Sequence, residues 1–270
     1  SSIFSLMRSY NRSGPPRHLG AAPGFNEVRN FFDFRSVKIG GWVKQQEQQL
    51  RARDFFIALL DLQEILQVPP FVISLRGQLS LHYGTGGQPG VSAHYMPAAR
   101  VLALAKNAGA GSLAHEWFHA FDHYIAEHIF IRETGGRFAS IAWLTDFELR
   151  SHGLCQLLAH CYRLILLDEG GEGPSEFVAR AIAHDRSEGG LYWSKPEELC
   201  ARAFESFIED AQISNQFLAY GTRHQEREFD PYPRGEQRER INRAFADYFT
   251  ALGGSLSASR AEPESAPHRS

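Results

Sequence analysis

The segment His115-Glu116-Trp117-Phe118-His119 sets two imidazoles four positions apart, with a carboxylate next to the first. On an α-helix, positions i and i+4 lie on one face a turn apart, so a helix aims both rings at one point. Two such rings can share a tetrahedral ion at nitrogen distances of about 2.0–2.1 Å. Glu116 then projects beside the ion, where a carboxylate can take a proton from a bound water without being a ligand. An ordinary amphipathic helix with two hydrogen-bonded histidines has the same spacing, and the chain contains 12 histidines. Three features favour the metal reading. A strand-like stretch and the turn Gly109-Ala110-Gly111 precede the motif, a helix is expected from about Ser112 to Ile129, and Trp117, Phe118 and Phe121 give it large apolar flanks.

Catalytic zinc sites usually have three protein ligands, so another element must supply one more. Ser194-Lys195-Pro196-Glu197 has the form of a capping box opening a helix. That helix carries Glu198, Ala201, Arg202 and Glu205 on one face, and small Ala201 and Ala203 permit close approach to the metal helix. Glu198 and Glu205 both qualify as ligands by position. Asp122, three residues after His119, is placed to orient a ligand imidazole.

The rest of the chain reads as an α+β domain. Trp42 to Leu66 has helical apolar spacing and ends at Pro69-Pro70. Strands are expected at 71–75, 79–83, 91–95 and 101–104, forming a small mixed or antiparallel sheet on the metal helix. Helices follow at roughly 151–168, 175–186, 195–212 and 236–251. Residues 1–24 read as a flexible arm, 25–256 as one domain with lobes at about 25–130 and 131–256, and 257–270 as a disordered tail. Gly84 to Gly90 suggests a flap over a cleft.

Composition narrows the function classes. Hydrophobic residues form 43% of the chain, enough for a core, and 28 Lys and Arg against 31 Asp and Glu argue against a dedicated nucleic-acid binder. Arg223, Arg227, Arg234, Arg238 and Arg240 are interleaved with acids and read as a charge-mixed face. Cys155, Cys161 and Cys200 lack any CxxC spacing, so neither a disulfide framework nor a structural zinc ribbon is expected. Cys155 and Cys161 fall in an apolar helical run. His123, His128, His152 and His160 have no partner at ligand spacing and read as ordinary core or surface residues. No apolar run approaches the about 20 residues that span a bilayer, and the cytoplasm is the expected compartment.

The motif His115-Glu116-Trp117-Phe118-His119-Ala120-Phe121-Asp122, with Glu198-x-x-Ala201-x-Ala203-Phe204 after it, resembles gluzincin metallopeptidases of the anthrax lethal factor and Pro-Pro endopeptidase group. Tyr192-Trp193-Ser194-Lys195-Pro196-Glu197-Glu198 before Ala201-Arg202-Ala203-Phe204-Glu205 is similar to the large polyvalent-protein-associated domain. The longer stretch from Phe25 through Tyr124 looks like the bacterial CLCA_X family. The gluzincin resemblance implies a zincin-like fold, Zn²⁺ on His115, His119 and Glu198, Glu116 as general base, and Tyr192 as a transition-state donor. It implies a protein or peptide as substrate. In zincins the strand before the metal helix often edges the cleft, a role that would fall to Val101–Ala105. The alternative is a non-catalytic zincin-fold binding module serving mobile elements or a larger complex.

Overall fold

The computed structural model describes residues 11–21, 23–41, 43–84, 93–105, 111–223 and 227–261. In the N-terminal half these form β1 (Arg12–Ser13), α1 (Phe25–Phe32), β2 (Val37–Ile39), α2 (Gln45–Leu66), α3 (Pro70–Ile73), β3 (Ser80–Tyr83), β4 (Ala93–Met96) and β5 (Val101–Leu104). The apolar positions of α2 (Ala52, Phe55, Ala58, Leu59, Leu62 and Leu66) recur every three or four residues and are buried, as the sequence predicts. Residues 71–75 are not a strand. Proline at the first position of α3 presets a helical φ, and Val72 and Ile73 are buried in a single turn. A run of five apolar residues is too short to reveal its period.

Four strands form a mixed sheet in the order β2-β3-β5-β4. β3 pairs in parallel with β2 and β5, and β4 pairs antiparallel with β5, Tyr95 facing Leu102. β5 is therefore an interior strand, buried along its whole length. The cleft-edge role expected for Val101–Ala105 does not hold. Among the described residues, the edge strand beside α4 is β4.

The second half is helical: α4 (Leu113–Ile129), α5 (Ala139–Leu144), α6 (Gly153–Leu166), α7 (Glu176–Glu188), α8 (Pro196–Glu209) and α9 (Gly235–Ala261), with a short β6 (Ser214–Asn215). The architecture is α+β, with α4 packed on β4 and β5 on one side and on α8 on the other. Trp117, Phe118 and Phe121 of α4 are buried and meet Phe204 of α8 and Phe245 and Phe249 of α9. The rings of Phe118 and Phe204 stack at 4.9 Å, and Trp117 donates its indole N–H to Ile73 O at 2.9 Å. Burying a large aromatic side chain contributes roughly 1.5–3 kcal/mol, so this cluster sets the rotation of α4 about its axis. Ala201 and Ala203, both fully buried, let α8 approach.

Helix α9 leans on the end of α2 through Gly253. A Cβ there would sit 2.0 Å from Gln67 O, a backbone atom that cannot swing away. Gly253→Ala is expected to destabilise by about 3 kcal/mol through overpacking, lowering Tm by roughly 6–12 °C. Gly254→Ala, with no described atom within 4 Å of the new methyl, should leave Tm unchanged or slightly higher. Equal Tm values for the two variants would contradict the close approach.

Within the expected flexible arm, the described residues are anchored. β1 pairs antiparallel with β6. Arg12 and Arg17 both donate to Asp61, a fully buried carboxylate that also accepts from Asn215. A buried carboxylate needs such partners, which the arginines of the arm provide. At the other end, α9 extends through Ala261 into the expected tail. Residues 85–90 of the expected flap lie outside the described residues.

Candidate metal centre

Gly111 immediately precedes the N-cap of α4. Its φ of +99° and the approach of Tyr220, whose N and Cβ atoms would lie 3.1 Å from any Cβ at this position, leave room for glycine alone. Ser112 stands at the N-cap without a capping side-chain bond, and the amide of Ala114 donates instead to Leu218 O at 3.0 Å.

From there α4 brings His115 and His119 onto one face, with their Nε2 atoms 3.1 Å apart. Glu198, in the first turn of α8, reaches both: Oε2 lies 3.0 Å from His115 Nε2 and Oε1 lies 3.0 Å from His119 Nε2. Donors around a tetrahedral ion with bonds of about 2.0–2.1 Å stand roughly 3.3 Å apart, so a slight spreading fits one small ion between these three. Two imidazoles and a carboxylate are a donor set that zinc accepts. Among the described residues, His115, His119 and Glu198 form the group placed to hold a metal.

Glu205 has a different task. Seven residues after Glu198, two helical turns on, it meets the opposite nitrogen of the same ring: His115 Nδ1 donates to Glu205 Oε2 at 2.7 Å. A carboxylate only accepts, so Nδ1 carries the proton and Nε2 is turned toward the ligand cluster. Burial disfavours a charged His115, but Glu205 and Glu198 outweigh it and raise its pKa to about 10. Burial would likewise raise the pKa of Glu198, yet hydrogen bonds from His115 and His119 hold it far below the usual carboxylate range. A metal entering this site would have to displace the protons held on these imidazoles. Glu205→Gln is expected to weaken metal binding by about 10–100-fold, as outer partners of ligand histidines do. Competition against a chromogenic chelator measures it, and an unchanged affinity would make the contact incidental.

Glu116 stands beside the cluster. Its Oε2 accepts the backbone N–H of Tyr95 at 2.7 Å, so β4 aims the carboxylate. Burial raises its pKa, against the opposing charges of His119 and His115. Half-exposed Tyr192 stands on the rim and donates its hydroxyl to Glu198 Oε2 at 3.4 Å. Burial, then the charge of Glu198, pushes its pKa up to about 12, so at neutral pH the phenol keeps its proton to donate.

Two expectations are corrected. Asp122 does not orient a ligand imidazole. It accepts from Ser140 N at 2.9 Å, Ser140 Oγ at 2.5 Å and Tyr162 OH at 2.8 Å, pinning α4 to α5 and α6, and burial raises its pKa to about 6. His119 Nδ1 is buried without a hydrogen-bond partner among the described residues. Nor does Ser194 form a capping box. The N-cap of α8 is Lys195, and Ser194 donates its N–H and Oγ to Asp185 at 2.8 and 2.6 Å.

The other residues singled out from the sequence have ordinary roles. His123 Nδ1 lies 2.7 Å from Tyr95 OH, His152 accepts from Leu154 N at the start of α6, and all three cysteines are buried thiols. Arg180, Arg223, Arg227, Arg234 and Arg238 line a cavity of about 1020 Å³ that none of the proposed metal ligands borders. Most are paired within the protein: Arg223 and Arg238 with Asp210, Arg180 with Asp230, Arg234 with Glu176. This is the charge-mixed arrangement that the interleaved acids suggest.

No helix among the described residues is long and apolar enough to cross a membrane. No curated protein and no solved structure matches the chain. Residues 184–256 match the model of a family described as large polyvalent protein-associated domain 1, a stretch that takes in the Tyr192 turn, Glu198, Glu205 and most of α9 but not the metal helix.

Proposed function

We propose that this chain is a zinc-dependent peptidase of the gluzincin kind, hydrolysing peptide bonds of a protein substrate with Glu116 as general base. The observation that carries the reading is the convergence of His115, His119 and Glu198 from two helices, with Glu116 held beside them by β4. His115, His119 and Glu198 would hold the ion, and Glu205 would keep His115 in the ligating tautomer. A zinc ion bound there supplies Lewis acidity and lowers the pKa of water to roughly 7.

The chain's own residues do the remaining work. Glu116 accepts a proton from the attacking water and delivers it to the leaving amine. Burial raises its pKa toward the working pH, which makes it a better base at neutrality. Tyr192 donates toward the carbonyl oxygen as negative charge develops there. β4 lies at the edge of the sheet beside α4, where an extended peptide could run along the cleft, although its Tyr95 N–H is already given to Glu116.

Elemental analysis of the purified protein, with a peptide-library digest of the zinc-loaded form, tests the proposal. Near-stoichiometric zinc together with cleavage supports it. Absence of a bound divalent metal after zinc loading would end it.

The match to a domain named for association with polyvalent proteins favours a second reading, a zincin-fold module that binds without cutting. Zinc at full occupancy with an uncleaved peptide library would select it.

A further inference from the structure

The Tyr192 turn is more firmly held than an exposed loop requires. Asp185, near the end of α7 and itself buried, accepts four hydrogen bonds from three consecutive residues: Tyr192 N at 3.3 Å, Trp193 N at 3.0 Å, Ser194 N at 2.8 Å and Ser194 Oγ at 2.6 Å. Arg202, one turn beyond Glu198 on α8, closes the turn from below. Its Nη2 donates to Trp193 O, and its guanidinium lies 4.9 Å from the centroid of the Trp193 ring. Arg202 is 3% exposed, and its Nε and Nη1 have no hydrogen-bond partner among the described residues. A buried guanidinium with open donors is unfavourable unless something else retains it. The charged and phenolic groups that act on it are Glu198, Tyr192, Glu205 and Tyr232. The backbone of the turn is thus gripped from α7 and from the ligand helix, while only the phenol of Tyr192 is left toward Glu198.

We propose that Asp185 and Arg202 are positioning residues that clamp the Tyr192–Ser194 turn, so that the Tyr192 hydroxyl is held over the metal-ligating end of Glu198. Neither touches the reacting atoms. The inference rests on the peptidase reading for its consequence in turnover, but the clamp itself can be observed without catalysis. It predicts a graded order. Asp185→Ala removes all four acceptor contacts. Asp185→Asn keeps one carbonyl oxygen and loses part of them. Arg202→Met keeps bulk and apolar contact with Trp193 but loses the charge and the donor to Trp193 O.

The experiment places 3-fluorotyrosine at position 192 of the full chain and follows its ¹⁹F resonance while Zn²⁺ is added, in parallel with metal stoichiometry and hydrogen exchange of residues 190–195. In the parent, one sharp line should shift on metal addition, and the amides of Tyr192, Trp193 and Ser194 should be protected. In Asp185→Ala and Arg202→Met the line should average toward the exposed-tyrosine position and cease to respond to zinc, although metal still binds. Protection should fall at least tenfold, with Asp185→Asn between. For peptide turnover, kcat should fall about as much as in Tyr192→Phe, with KM little changed. A merely structural role would lower stability and leave the zinc response of the ¹⁹F line intact, which would overturn the proposal. So would unchanged protection in Asp185→Ala. If zinc binds and the clamp signatures appear but no peptide is cut, the peptidase reading fails and the clamp stands.

Discussion

Glu116→Gln is expected to keep its full complement of metal and to slow peptide hydrolysis by about 10²–10⁴-fold, the usual contribution of a positioned base. Glutamine matches glutamate in shape, and its carbonyl oxygen can still accept the Tyr95 amide that aims the side chain. What it loses is the ability to take a proton. Metal analysis beside steady-state kinetics separates the roles, because a variant that loses zinc would reveal a structural residue and one that stays fully active would remove the base. The pH profile of the parent carries the same signature. Only ionised Glu116 can accept the proton, and burial raises its pKa. Activity should therefore be present above the pKa of Glu116 and be lost as pH falls through it, an acid limb that Glu116→Gln should abolish.

His119→Ala and Glu198→Ala should each weaken zinc binding by more than the 10–100-fold that loss of an outer partner causes. Each removes one of three donors, leaving two that cannot enclose the ion. Metal binding to the native state is linked to stability: zinc at 100 times its Kd contributes about 2.7 kcal/mol. The parent should lose that increment when a strong chelator is added, and the variants should have none to lose. Thermal unfolding with and without chelator measures both. Near-stoichiometric zinc surviving in either variant would remove Glu198 or His119 from the ligand set.

Much of the site is legible in local spacing. His115, Glu116 and His119 lie within five residues on one helix, where geometry follows from the 3.6-residue repeat. The long helices α2 and α4 show themselves by periodic apolar positions, and Pro196 marks the opening of α8. Other parts leave no local trace. The Tyr95 amide that aims Glu116 is a backbone group, and any residue except proline would supply it. Asp185 looks like any acid near a helix end. Its importance comes from three amides that a glycine turn folds back onto it. Asp122 sits at an attractive spacing from His119, yet its carboxylate was claimed by Ser140 and Tyr162 from elements 18 and 40 residues away.

Taken alone, the chain's residues determine that one helix presents two imidazoles and a carboxylate, and that another, about 80 residues later, carries two glutamates on one face. They do not determine which glutamate meets which nitrogen. That was decided by the packing of α8 on α4 through Phe118, Phe204, Ala201 and Ala203. It brings Glu198 to Nε2 of His115 and Glu205 to Nδ1. The physical reason is one of range: helical periodicity is a property of adjacent residues, whereas the register of two helices depends on the shapes of side chains far apart in the chain.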